Sequence, residues 1–160
     1  MATPERHPLR VYADTSVFGG CFDREFRKPS LRFFDRVRDR EIVLLVSELV
    51  DSEIERAPPR VQRLRGSLSG GSVTAIRISG RVRSLSDAYL AAEIVGRRST
   101  EDATHVAAAT VAEADAIVSW NFRHIVRLDR IRGYNRINRE LGYGELTIVT
   151  PERLLNDEEP

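Results

Sequence analysis

The sequence is poor in the residues that build disulfides and thiolate metal sites. Its 160 residues include a single cysteine, Cys21, and three histidines. One cysteine excludes an internal disulfide and any multi-cysteine zinc site, and we expect its thiol to be buried. Oxygen atoms are therefore the main candidate ligands for any metal ion.

Long apolar runs are also absent. The densest run, IVLLV at 42–46, has only the length of a strand, which predicts no membrane association. The N-terminal stretch MATPERHPLR lacks the apolar centre of a signal peptide, so the cytoplasm is the expected location. With 41% hydrophobic and 31% charged residues, the chain is predicted to form one domain over 1–160, with its core at about 9–155 and short polar termini.

Lysine is almost missing, since Lys28 is the only lysine among 25 basic residues. Seven arginines occur from Arg56 to Arg83 inclusive, and the whole stretch from Arg56 to Ser86 contains no acidic residue. The planar guanidinium group suits phosphate, so this stretch indicates a surface for nucleic acid or for an acidic partner. A solvated face in an arginine-rich protein explains the same pattern equally well.

Strand-like and helix-like segments alternate along the chain, which predicts an α/β fold with a mainly parallel central sheet. Predicted strands cover 9–13, 42–46, 116–120 and 146–149, with a weaker match at 73–78; predicted helices cover 30–39, 47–57, 85–97, 100–114 and 134–141, and a short loop covers 66–72.

An acidic residue stands where the first strand ends. The segment 9–13 leads directly into Asp14, which Thr15 and Ser16 follow. Functional groups collect at the carboxyl ends of strands in parallel sheets. Asp14 is therefore interpreted either as the cap of a following helix or as one member of a metal site.

Glu53 is a second candidate, in the segment SELVDSEIERA at 47–57. At helical spacing it falls on the apolar face, with Leu49 and Ala57 one turn away on either side. A carboxylate aimed at a core requires a compensating cation or donor. We favour a metal ion over the alternative, an arginine side chain.

A third candidate lies in STEDATHVAAATVAEA at 99–114, where Asp102 shares a packed stripe with Val106. The alternative is a capping box in which Ser99 caps the helix and Asp102 reaches back, and spacing alone favours this alternative. His105 is interpreted as structural, because a lone histidine on a helix more often has that role.

Asn121 follows the strand at 116–120, whereas Asp115 precedes it and so belongs to the opposite edge of the sheet. An asparagine can offer a carbonyl oxygen to a metal or position a water, without adding charge. A hard, oxygen-rich set suits Mg²⁺ or Mn²⁺ better than zinc. The candidate set at this edge is Asp14, Glu53, Asp102 and Asn121.

Two other enzyme classes find no support. The sequence has no G-x-S-x-G motif of the kind that presents a nucleophilic serine in α/β hydrolases. It also has no glycine-rich loop ending in Lys-Ser or Lys-Thr, as a P-loop enzyme requires.

The order and spacing of several motifs resemble those of PIN-domain proteins, and in particular the VapC-type ribonuclease toxins of toxin–antitoxin pairs. The resemblance spans about residues 10–155, and its motifs are VYADTSVF, SELVDSEIERA, EDATHVAAAT, ADAIVSWNFRHI and GYGELTIVTPERLL. It implies a three-layer α/β/α sandwich around a mainly parallel sheet and a metal-dependent nuclease.

By motif position, the resemblance implies that Asp14, Glu53 and Asp102 are the metal ligands, with Thr15 and Ser16 as the small hydroxyl residues beside the first acid. The family often has a fourth acid after the fourth strand, where this sequence has Asn121.

The function implied is Mg²⁺- or Mn²⁺-dependent endoribonuclease hydrolysis of RNA phosphodiesters. Asn121, Thr15 or Ser16 would orient the attacking water or a phosphate oxygen, and Arg123 would steady the RNA backbone unless it is only a surface arginine. The alternative is a PIN-fold module that binds RNA or a partner protein without cutting.

Expected partners are an RNA substrate and a cognate antitoxin, with a homodimer as a further hypothesis. The apolar residues Phe33, Phe34 and Val37 are candidates for a homodimer interface or an antitoxin groove, or else for the core.

Overall fold

The computed structural model describes residues 7–158; residues 1–6 and 159–160, which belong to the predicted polar termini, lie outside the described residues. A five-stranded sheet has the order β3-β2-β1-β4-β5, and all four of its strand pairings are parallel. The elements are β1 (Leu9–Ala13), α1 (Thr15–Gly20), α2 (Arg27–Arg38), β2 (Ile42–Ser47), α3 (Glu48–Glu55), α4 (Pro59–Ser67), β3 (Val73–Ile76), α5 (Gly80–Ala91), α6 (Thr100–Val111), β4 (Ala116–Val118), α7 (Leu128–Glu140), β5 (Thr147–Val149) and α8 (Pro151–Glu158).

The predicted α/β fold with a parallel sheet is confirmed. Right-handed crossovers place the helices that connect β1, β2 and β3 on one face of the sheet, and those that connect β3, β4 and β5 on the other. In agreement, α2 packs on α8 and β2, whereas α5, α6 and α7 pack together and α6 lies against β2 and β4. The three layers of the sandwich are therefore present.

The order of the strands defines one special position. The chain moves from β1 outward to β3 and then returns across the sheet to β4, so the direction of winding reverses between β1 and β4. In open parallel sheets, a crevice forms at the carboxyl edge where the winding reverses. Asp14 follows β1, and the segment Ser119–Asn121 follows β4, so both flank this crevice.

Three helices were not predicted from periodicity. The helix α1 is only six residues long, α4 is nearly all polar, and α8 follows directly after β5. Pro59 begins α4, which is a favourable position because proline at the first turn lacks only an N–H that has no partner within the helix. The helix then runs through Ser67, into the predicted loop at 66–72.

Two predictions about burial have opposite outcomes. Cys21 is buried as a free thiol, as expected. The interpretation of Phe33, Phe34 and Val37 as an interface is wrong, because all three are at most 1% exposed. They lie on the inner face of α2, and Phe34 packs against Phe18 with ring centroids 4.9 Å apart.

No helix among the described residues combines the length and the apolar character needed to cross a membrane.

A close approach at the end of α1 requires glycine. A Cβ atom added to Gly20 would lie 2.6 Å from Ser30 Oγ and 2.8 Å from Trp120 Nε1, which donates a hydrogen bond to that same Ser30 oxygen. Both groups are buried and paired, so they have little room to move. The neighbouring Gly19 has open space at the corresponding position.

We therefore expect Gly20→Ala to lower the free energy of unfolding by about 1–3 kcal/mol through overpacking. Gly19→Ala, in the same helix, should leave it unchanged or raise it slightly, because alanine is the better helix former. Urea denaturation of both variants measures the difference. Equal stability of the two variants would contradict the predicted clash.

Candidate active site at the carboxyl edge of the sheet

Asp14 lies at the crevice and is almost completely buried. It caps α1, since its Oδ1 accepts a hydrogen bond from the backbone N–H of Ser16 at 3.1 Å and another from the Ser16 hydroxyl. Its Oδ2 accepts from the hydroxyl of Ser119 at 2.6 Å. The capping interpretation of Asp14 is thus correct, and the three hydrogen bonds fix the carboxylate between the ends of β1 and β4.

Asp102 is joined to the same position through Asn121. The side-chain Nδ2 of Asn121 donates to Asp102 Oδ1 at 3.0 Å, and its backbone N–H donates to the Ser119 hydroxyl that binds Asp14. The capping-box alternative for Asp102 is wrong, because Ser99 makes no side-chain capping hydrogen bond. The Asp102 side chain is oriented by a residue from the end of β4 instead.

Glu53 is held by a histidine. Its Oε1 lies 2.6 Å from His105 Nε2, and it also accepts from the Thr15 hydroxyl at 2.9 Å. The other ring nitrogen, His105 Nδ1, lies 2.7 Å from the hydroxyl of Tyr12. The cationic partner of Glu53 is therefore His105, rather than the arginine that was considered from the sequence.

The electrostatics of this pair agree on both sides. Burial alone would lower the pKa of His105, but the hydrogen bond to Glu53 and the nearby charge of Asp14 raise it above its usual value. Burial alone would raise the pKa of Glu53, yet the hydrogen bond and the charge of His105 lower it. The two shifts favour an imidazolium paired with a carboxylate. In that state His105 Nδ1 donates to the Tyr12 hydroxyl, which is then free to donate to the Ser47 hydroxyl, 2.7 Å away.

The other two carboxylates behave differently. Burial raises the pKa of Asp14, and the charge of Asp102 adds to the increase. Burial also raises the pKa of Asp102, and the charge of Glu53 adds to it. Even with His105 as an imidazolium and with the charge of His124 acting on Asp102, three ionised carboxylates leave excess negative charge at the site, which a bound cation would relieve.

The donor set constrains which cation would fit. Within residues 7–158, no group of three or more histidine, cysteine, aspartate or glutamate side chains has the spacing of a complete metal site. Glu53 is turned toward His105, and Asp14 and Asp102 are the other two carboxylates available as hard ligands. Mg²⁺ commonly uses one or two carboxylates and keeps several waters, so this arrangement fits such an ion better than one that needs a full protein cage.

The remaining sequence candidates support the carboxylates. The hydroxyl of Thr15 donates to Glu53, and that of Ser16 donates to Asp14. The Oδ1 atom of Asn121 accepts from the backbone N–H groups of Arg123 and His124, at 3.2 and 2.9 Å. Arg123 itself is exposed.

Sequence reasoning missed several contributors to this site. His105 was interpreted as structural, although its position one turn after Asp102 on the same helix was a usable signal. Glu101 contributes to lowering the pKa of Glu53, and the charge of His124 lowers the pKa of Asp102. Their roles depend on contacts between segments far apart in the chain, which periodicity does not report.

Comparison with known proteins identifies the fold. No protein-family model and no curated protein sequence matches the chain. Among solved structures, VapC20 from Mycobacterium tuberculosis, described as a sarcin-ricin loop cleaving toxin, is similar with a TM-score of 0.54 and 13% identity over 86% of this chain and 98% of that one. VapBC2 from Rickettsia felis, described as bound to a DNA fragment from their promoter, gives 0.51 and 12% identity over 72% and 90%.

These similarities establish the structural class. The chain has the α/β fold of the VapC-type PIN-domain structures, so the resemblance drawn from its motifs is confirmed at the level of the fold. At 12–13% identity the comparison shows the fold alone, and the chemistry has to be argued from the site itself.

Removal of His105 tests the electrostatic account of the site. His105→Ala leaves three partly or fully buried carboxylates without the imidazole beside them. The free energy of unfolding should therefore fall by about 3 kcal/mol. This is the lower end of the range for a broken buried ion pair, because Glu53 is partly exposed. Urea denaturation at neutral pH measures this change. The exposed His7 provides the control, because His7→Ala should leave the free energy of unfolding unchanged. A loss of less than about 1 kcal/mol in His105→Ala would contradict the electrostatic account.

Proposed function

We propose that this protein is a Mg²⁺- or Mn²⁺-dependent endoribonuclease and the toxin of a type II toxin–antitoxin pair. The observation that carries the proposal is the set of three oriented carboxylates at the crevice where the winding of the sheet reverses: Glu53 bonded to His105, Asp14 to Ser119 and Asp102 to Asn121. The likeness to VapC20, described as a sarcin-ricin loop cleaving toxin, supports RNA as the substrate.

Each carboxylate has a distinct part in this proposal. Asp14 and Asp102 would bind the ion directly, and Glu53 would bind directly or through water. The ion would neutralise charge on the scissile phosphodiester and make the attacking water more acidic. The hydrogen bonds from Ser119 and Asn121 hold Asp14 and Asp102 in place before substrate arrives, which preorganises the negative site.

Asn121 acts through Asp102. Its amide nitrogen orients that carboxylate, and its carbonyl oxygen already accepts two backbone hydrogen bonds. We therefore propose that Asn121 positions Asp102 as a metal ligand. Orientation of the attacking water or of a phosphate oxygen by Asn121, Thr15 or Ser16 is a further part of the proposal. Arg123, which is exposed two residues after Asn121, is the proposed contact to the RNA backbone.

A second function is favoured by the same residue. Asn121 stands where many PIN-domain proteins have a fourth acid, and this lower charge suits a module that binds RNA or a partner protein without cutting. Binding of Mn²⁺ and RNA with no turnover would favour that module over the nuclease.

An antitoxin is the proposed protein partner. The likeness to VapBC2, described as bound to a DNA fragment from their promoter, supports such a partner. A homodimer stays a prediction with no surface assigned to it, because Phe33, Phe34 and Val37 are buried.

The nuclease proposal predicts that Asp14→Asn lowers metal-dependent RNA cleavage roughly 100-fold or more, the scale seen when a group that stabilises charge at the reacting centre is lost. The assay uses mixed structured RNAs with Mg²⁺ or Mn²⁺, and an EDTA control. Asp115→Asn is the matched control, because Asp115 lies before β4 at the opposite edge and accepts a hydrogen bond from Arg10. Cleavage that persists in EDTA would indicate a contaminating ribonuclease, whereas equal metal-dependent cleavage by all three proteins would contradict the assignment of Asp14.

The cation itself is tested by Asn121→Asp. Without divalent ions, this change replaces a donor to Asp102 by a like charge, so the free energy of unfolding should fall by about 1–3 kcal/mol. Added Mn²⁺ should stabilise both proteins, because a ligand that binds only the folded state stabilises that state. The gain should be larger for Asn121→Asp, because the added carboxylate repels Asp102 until a cation is bound. Thermal unfolding with and without Mn²⁺ measures both effects, and stability that does not respond to Mn²⁺ in either protein would contradict a cation site.

A further inference from the structure

A group of aromatic rings lies on the surface beside the candidate active site. The rings of Phe26 and Trp120 stack with centroids 4.4 Å apart and planes 18° apart. Phe122 lies 6.2 Å from the first and 6.3 Å from the second, and 50% of it is exposed. We call Phe26, Trp120 and Phe122 the aromatic platform. An exposed phenylalanine supported by two further rings is unusual for a surface that only faces water.

The platform is held rigidly. Trp120 is 8% exposed, and its indole Nε1 donates to Ser30 Oγ at 2.9 Å. Gly20 leaves no space behind the indole ring. Because the rings are already fixed, a ligand that stacks on them would pay little conformational entropy for ordering them.

The platform is continuous with the carboxylate site. The backbone N–H of Trp120 donates to Ser16 Oγ at 2.9 Å, and that hydroxyl donates to Asp14. Asn121 lies between Trp120 and Phe122 in the chain and contacts Asp102. A nucleic-acid strand with one phosphate at the carboxylates would therefore bring a neighbouring nucleotide to Phe122.

Arginines accompany two of the exposed aromatic rings. The guanidinium group of Arg60 lies 5.3 Å from the centroid of the Phe22 ring, which is 39% exposed. Arg60 belongs to the arginine stretch between Arg56 and Arg83, so the beginning of that stretch lies beside the exposed ring of Phe22. Arg123 follows Phe122 directly and is exposed. Exposed aromatic rings interleaved with arginines are the features that bind single-stranded nucleic acid through its bases and its backbone together.

We propose that the aromatic platform binds an unpaired base of the RNA by stacking on Phe122, next to the phosphodiester that lies at the carboxylates. The inference rests on the proposed function for the nature of the ligand. RNA is favoured over a protein segment because hydrogen bonds connect the platform directly to a site suited to phosphate chemistry.

The test measures binding of a short, fluorescently labelled single-stranded adenosine RNA in EDTA, where metal-dependent cleavage cannot occur. Phe122→Ala should weaken binding roughly 5- to 150-fold, the range for losing one stacked base. Phe122→Tyr keeps the ring and should restore affinity. The control is Leu141→Ala, because Leu141 is 53% exposed and follows α7 at its far end; this variant should bind as the wild type does.

Two further readouts locate the contact. Trp120 is the only tryptophan in the chain, so RNA bound at the platform should change its fluorescence. An oligonucleotide of the same length in which the bases are replaced by abasic sites should bind equally to the wild type and to Phe122→Ala.

The outcomes separate this inference from the nuclease proposal. If Phe122→Ala binds the RNA as tightly as the wild type, or loses affinity for the abasic strand to the same degree, the platform does not stack a base and the inference is wrong. If that variant loses only the binding of a protein partner, the surface is a protein interface and the inference is equally wrong. RNA binding that depends on Phe122, without any cleavage in Mg²⁺, would support base stacking on the platform and contradict the nuclease proposal.

Discussion

The contact between His105 and the carboxylates is the interaction on which the candidate site depends. Three acidic side chains from different parts of the chain lie close enough to act on His105, with Asp14 buried and Glu53 and Asp102 partly buried, and their repulsion would oppose folding without a cation among them. The imidazolium of His105 offsets Glu53 and lies near Asp14, while its other nitrogen is fixed by Tyr12. The negative charge that Asp14 and Asp102 carry when ionised is the basis of the proposed cation site at this edge of the sheet.

The hydrogen bonds of Ser16 connect the carboxylate site to the aromatic platform. Ser16 donates to Asp14 and accepts from the backbone of Trp120, so a single hydroxyl couples a carboxylate to the aromatic platform. The indole ring is fixed in turn by Ser30 and by the absence of a side chain at Gly20. A change in α1 is therefore expected to alter both the negative site and the aromatic surface, because the two share their supporting residues.

Much of the fold could be predicted from the sequence, because buried strands and amphipathic helices have short-range patterns. The strand at Leu9–Ala13 was predicted with the bounds that the structure gives, and that at Thr147–Val149 to within a residue. The polar helix at Pro59–Ser67 was missed because few of its side chains are buried, which leaves little periodicity to detect. Asp102 illustrates a different limit: its spacing from Ser99 matched a capping box, but the side chain hydrogen-bonds Asn121 from another element.

The sequence by itself determined the alternation of strands and helices, the placement of Asp14 and Asn121 after strands, and the position of Glu53 on an apolar helix face. These are properties of neighbours within one or two turns, which local physics fixes. Only the tertiary structure decided that His105 is the partner of Glu53, that Phe33 and Phe34 belong to the core, and that Phe26 stacks on Trp120. Such pairings depend on the order of strands in the sheet and on the faces to which the crossovers bring the helices, and residues 52 or 94 positions apart carry no local signal of their contact.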